Sequence, residues 1–169
     1  VLLCTMFLWA QPKYVFYFIG DGMGQNQVLG TEMYLAELGG FIGRKQLCMT
    51  QFPIMGVAST FSASSGVTDS SAAGTCLATG KKTNNNWLGL TPDGNHPETL
   101  AEALHNRGWA VGITTSVSIV HATPGAFYGR SNDRNSYYTI GTQLAKTDFE
   151  FFGGATFYDA VPKDGSKGP

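Results

Sequence analysis

The chain has 169 residues and carries 11 Lys and Arg against 12 Asp and Glu, a net charge of −1. Its charged fraction of 14% lies well under the roughly 25% usual for globular domains, and its hydrophobic fraction is 43%. This excludes an acidic or disordered tail, and a near-neutral chain without a basic run gives no sign of a nucleic-acid partner. The length allows one domain or one lobe of a larger one.

Residues 1–10, VLLCTMFLWA, are almost wholly apolar. The run is too short for a bilayer span, which needs about 20 residues. It has the length of a signal-peptide core, with Ala10 near a plausible cleavage point. Residues 1–11 are therefore read as a clipped signal peptide, with a buried first strand as the alternative, and the protein as periplasmic or secreted. Residues 12–169 then form the domain. Residues 13–19 (KYVFYFI) show the β-branched and aromatic pattern of a strand buried on both faces. A Gly-rich turn follows at 20–24, and then a helix over 26–38 with apolar positions Val28, Leu29, Met33, Leu35, Ala36 and Leu38, stopped by Gly39-Gly40. A second strand is expected over 55–61, an Ala-rich helix over 71–79 ended by Gly80, and a helix over 97–106. A strand over 109–115, a helix over 134–146 and a short strand over 149–152 complete the series. The polar Gly/Pro stretch 161–169 reads as a loop, and so early a stop suggests the N-terminal part of something longer. Ser/Ala-rich 58–73 and Asn84–Asn86 are the low-complexity patches. Cys48 and Cys76 are too few for a disulfide framework, although a single pairing between them is an alternative to two free thiols.

Strands alternating with helices predict an α/β domain with a mostly parallel sheet between helices. In such sheets ligands bind beyond the carboxyl ends of strands, so three segments stand out. Asp21 lies between Gly20 and Gly22 after the first strand, where a carboxylate could hold a hard cation or simply fill a turn. Within Thr68-Asp69-Ser70-Ser71 any of the first three residues could cap the next helix. A hydroxyl there also sits where helix N–H groups favour an anion, and could act as a nucleophile. His121-Ala122-Thr123-Pro124, followed by Arg130 and Arg134, places an imidazole and a hydroxyl on one side if the backbone is extended. The arginines are either solvated or forks for a phosphate.

Together these residues resemble the alkaline phosphatase family. The run 18–24 (FIGDGMG) is similar to its first metal-binding motif. Residues 67–75 (VTDSSAAGT), continuing to 83, resemble its nucleophile segment, and 121–124 with Asp133-Arg134 its magnesium and arginine segment. All three occur in family order, over about residues 13–158. The resemblance implies an N-terminal part of an alkaline-phosphatase-like α/β domain that hydrolyses small phosphate monoesters through a phosphoserine. Ser70 is the implied nucleophile and a zinc ligand. Asp21 is implied to bridge a zinc and the magnesium, Thr123 to ligate the magnesium, and His121 to lie near it. Arg134, preferred over Arg130 on the spacing from Thr123, is implied to clamp the phosphate, with Asp69 orienting it. Two zincs and one magnesium are implied, with most zinc ligands beyond residue 169, as is a homodimer. His96 and His105 fall outside the motifs, and Ser71 and Cys76 stand where Ala is frequent in the family. Two alternatives remain: that the 169-residue chain alone is not catalytic, or that the activity is that of a sister phosphodiesterase or sulfatase.

Overall fold

The computed structural model describes residues 12–162. The segment read as a signal peptide lies outside them. Two compact units make up the chain, Val1–Lys45 and Gln46–Pro169.

In the first unit the run 13–19 is not the strand its pattern predicts. It belongs to no sheet ladder, and Phe16 and Phe18 are 78% and 88% exposed. A strand exists only through hydrogen bonds to a neighbour, and the sole sheet among the described residues pairs two other segments. A turn follows, closed by the Met23 amide on the Gly20 carbonyl at 3.2 Å. Helix α1, Gln25–Leu38, starts at Gly24, whose amide donates to Gln27 Oε1 at 3.0 Å, and ends at Gly39. Its expected apolar stripe is largely in solvent: Leu29, Met33 and Leu38 are exposed, while Glu32 and Ala36 are buried. A stripe buries only against an opposing apolar face. The buried carboxylate of Glu32 accepts from Arg44 Nη1 at 3.3 Å.

The second unit opens with a short 3-10 turn, Cys48–Gln51. The strand expected over 55–61 is also absent, for the same want of a ladder, and Met55 and Val57 are exposed. Helix α2, Ser70–Thr79, ends at Gly80 as its sequence predicts and starts one residue before the expected 71, with Asp69, one of the three candidate caps, as its N-cap. Helix α3 is shorter than expected, Leu100–His105, because Thr99 fixes its start. The Thr99 hydroxyl accepts from the Glu102 amide at 3.1 Å, and the Glu102 carboxylate accepts from the Thr99 amide at 2.8 Å, a reciprocal capping box. Strand β1, Gly112–Thr114, leads to α4, Ala122–Gly125, and α5, Tyr137–Leu144, before β2, Phe151–Gly153. The late start of α5 follows from a turn in which Asp133 Oδ1 accepts from the Asn135 amide at 2.9 Å.

The two strands pair in parallel, Gly112 with Phe151, Ile113 with Phe152 and Thr114 with Gly153. Parallel neighbours joined by a helical crossover are the α/β arrangement, the fold class expected. Leu88, Ile113, Ile119, Val120, Ala122, Ala126, Tyr128 and Ile140 form the core. Tyr128 donates its buried hydroxyl to the Ile119 carbonyl at 2.8 Å, and burial pushes its pKa up. Cys48 and Cys76 are free thiols, so the alternative of a disulfide between them does not hold.

Candidate active site

Ser70 is the first residue of α2 and is half-buried. The helix begins there because Asp69, in an extended conformation, turns its carboxylate back on the first turn. Its Oδ1 accepts from the Ala72 amide at 2.9 Å, a side-chain cap for one of the four N–H groups that no helix can satisfy internally. The other oxygen, Oδ2, accepts from the Ser71 hydroxyl at 2.7 Å, the Asn86 amide at 3.0 Å and Arg134 Nη1 at 3.1 Å. Burial alone would raise the Asp69 pKa. The hydrogen bonds from Ala72, Ser71, Asn86 and Arg134 outweigh it and hold the carboxyl below the usual range.

Arg134 is fixed at both ends. Its amide donates to the Asn86 carbonyl at 2.8 Å, and its guanidinium reaches Asp69 with one nitrogen and lies 3.5 Å from His121 Nε2 with the other. Arg130 is committed elsewhere. Its guanidinium pairs with Glu102 at 2.5 Å and donates to the Tyr128 carbonyl at 3.2 Å. Of the two arginines in the motif, Arg134 is thus the one next to the N-terminus of α2.

His121 is the N-cap residue of α4 and Thr123 lies in its first turn. His121 itself is extended, but 122–125 form a single helical turn, so the extended backbone that would put His121 and Thr123 on one side does not continue to Thr123. Pro124 is compatible with the turn because the first N–H groups of a helix have no internal partner. Helices α2 and α4 touch through Gly74, where a Cβ would stand 3.2 Å from the Ala126 Cβ and 3.5 Å from the Thr123 Cα. This contact brings the Ser70 and Thr123 helices side by side. Asp21 occupies its turn in the first unit and is exposed. His96 is exposed, and His105 packs its ring edge-on to Phe149 at 5.4 Å.

Ser71 and Asn86, which bond the Asp69 carboxylate, carry no role at the site in the sequence reading. Only Ser71 had a local signal, a hydroxyl two residues after a capping Asp. Among the described residues no group of three His, Cys, Asp or Glu side chains could hold a metal ion. In the second unit the hydroxyls of Ser70 and Thr123 with one imidazole fall short of the three or four protein ligands of a zinc site. The donors present do not fit a complete metal centre.

The alkaline phosphatase family profile matches residues 12–149. The chain is 31% identical over 136 residues to the tissue-nonspecific alkaline phosphatase of Mus musculus, covering 74% of this chain and 26% of that protein. The chain therefore spans about a quarter of the length of such relatives. Among solved structures it resembles the alkaline phosphatase of Thermus thermophilus, with a TM-score of 0.72 and 31% identity over 87% of this chain and 32% of that one. It also resembles a variant of the alkaline phosphatase of the Antarctic bacterium TAB5 with magnesium bound in its M3 site, with a TM-score of 0.67 and 26% identity over 80% of this chain and 39% of that one.

Proposed function

The chain belongs to the alkaline phosphatase family, and from that premise we propose that the whole protein hydrolyses phosphate monoesters through a phosphoserine on Ser70. The observation that supports this most is the placing of Ser70 at the start of α2, one residue from the carboxylate that holds Arg134. In the first displacement Ser70 Oγ loses its proton and forms a bond to phosphorus while the bond from phosphorus to the leaving oxygen breaks, and the leaving group departs as the alcohol with a proton gained in exchange. In the second, water attacks the phosphoserine, releasing inorganic phosphate and restoring the hydroxyl. Arg134 offers a planar fork of N–H donors to the non-bridging oxygens, whose charge it balances through both steps. Asp69 keeps the fork aimed. The positive end of the α2 dipole favours the same anion.

Two zincs and one magnesium are proposed for the whole protein, with Asp21, Ser70, Thr123 and His121 as this chain's share of the ligands and their surroundings. A periplasmic or secreted location and a homodimer belong to the same proposal. The substrates are small monoesters with an open choice of leaving group. A second reading is that the 169-residue chain, which covers 26% of the mouse relative's length, does not turn over substrate by itself.

Steady-state hydrolysis of p-nitrophenyl phosphate by the whole protein, supplied with zinc and magnesium, tests the reading. Ser70→Ala is expected to lower kcat by roughly a thousandfold or more. Undiminished turnover by that variant, or a higher kcat/KM for sulfate esters or phosphodiesters, would overturn it.

A further inference from the structure

The Asn84–Asn86 run looks like a low-complexity patch in the sequence, yet its middle residue reaches across to the strand of chain that delivers Ser70. Asn85 Oδ1 accepts from the Asp69 amide at 3.3 Å, and Asn85 Nδ2 donates to the Val67 carbonyl at 2.9 Å. A side-chain amide that binds the carbonyl of one residue and the N–H of the second residue after it copies the pattern by which a neighbouring strand holds an extended segment. The strap is itself anchored, since the Asn85 amide donates to Ser64 Oγ at 2.9 Å. The next residue continues the link: Asn86 donates its amide to Asp69 Oδ2 and accepts at its carbonyl from the Arg134 amide. Asn86 has a positive φ of 68°, a conformation Asn tolerates better than most residues. Residues 67–69, the Asp69 carboxylate and the Arg134 backbone are thus tied to two consecutive asparagines.

We propose that Asn85 is a positioning residue for phosphate binding: its side-chain amide fixes residues 67–69, and through Asp69 the aim of Arg134. The inference rests on the role given above to Arg134. An amide suits this position because the two bonds need an acceptor and a donor on two separate atoms of one short side chain. Aspartate has the same shape but no donor for the Val67 carbonyl, and it adds a second negative charge beside Asp69. Alanine removes both bonds.

KM and the inhibition constant of inorganic phosphate decide the matter, because neither depends on how much of the sample is folded. A purely structural role would lower apparent kcat and the thermal midpoint and leave both constants alone. In the whole protein, Asn85→Ala is expected to raise KM and the phosphate inhibition constant about fivefold or more, and Asn85→Asp to raise them further. Arg134→Ala is measured beside them. Should Arg134→Ala leave phosphate inhibition unchanged, the reading of the site fails and this inference with it. If Arg134→Ala weakens inhibition but both Asn85 variants stay within twofold of the parent, the role of Asn85 alone is overturned. It is likewise overturned if neither Asn85 variant folds, since the residue is then structural.

Discussion

Val15 and Ile113 sit in runs that look alike in sequence, KYVFYFI and WAVGITT, yet their surroundings are opposite. Ile113 is 9% exposed, paired through β1 to β2 and packed in the core, whereas Val15 is 59% exposed in a run that joins no ladder. The difference lies in the partner, not in the residues. β-branched and aromatic patterning says that a segment fits a buried pleated surface; it does not supply that surface. The polar cluster around Asp69 needs no such help. Its partners lie at Ser71, Ala72, Asn85, Asn86 and Arg134, all in the second unit.

The widest contrast comes from truncating the two aliphatic residues. Ile113→Ala is expected to cost about 3 kcal/mol, through lost burial and the cavity left behind, and Val15→Ala less than about 0.5 kcal/mol. Urea unfolding followed by tryptophan fluorescence measures both, and equal costs would mean that the run 13–19 is buried after all. A smaller effect is expected in the polar cluster. Asp69→Asn keeps the size of the cap but loses the charge facing Arg134, at a cost of about 1–2 kcal/mol at pH 7. Because the fold lowers the Asp69 pKa, its contribution is complete above the unfolded value of about 3.9 and fades as pH falls through the lower folded value. The stability gap between parent and variant should therefore close on acidification below about pH 4, and a gap independent of pH would remove the carboxylate from the account. The smallest effect has the opposite sign. Gly30 lies in the middle of α1 with open space where a Cβ would go, so Gly30→Ala should stabilise the protein by about 0.5–1 kcal/mol, read as a rise in thermal midpoint.

What could be read from the sequence follows from how far each signal reaches. Helices α1 and α2 were legible because their ends are written locally, in Gly39-Gly40, in Asp69 and in Gly80. Ser70, Asp69 and Arg134 could be singled out because each lies in a motif a few residues long. The strands were legible in part: β1 and β2 fall on the expected strands 109–115 and 149–152, but their pattern does not set them apart from 13–19 and 55–61, since pairing depends on segments far away in the chain and β1 and β2 are separated by the whole of α4 and α5. The turn after His121 was hidden because a four-residue helix is too short to show a periodic pattern. Asn85 was hidden because its partners, Val67 and Asp69, lie 18 and 16 residues earlier, while its neighbours in sequence are also asparagines.

The contact at Gly74 has a consequence for how the two hydroxyl-bearing helices keep their distance. Where side chains separate two helices, a rotamer change can widen or narrow the gap. Here the face of α2 at that point is bare backbone against Thr123 and Ala126, so the separation of α2 and α4 there is set by atoms with no torsion left to turn. Position 74 thus works as a gauge block: the interval it sets is the thickness of a main chain, and every other residue would add to that thickness.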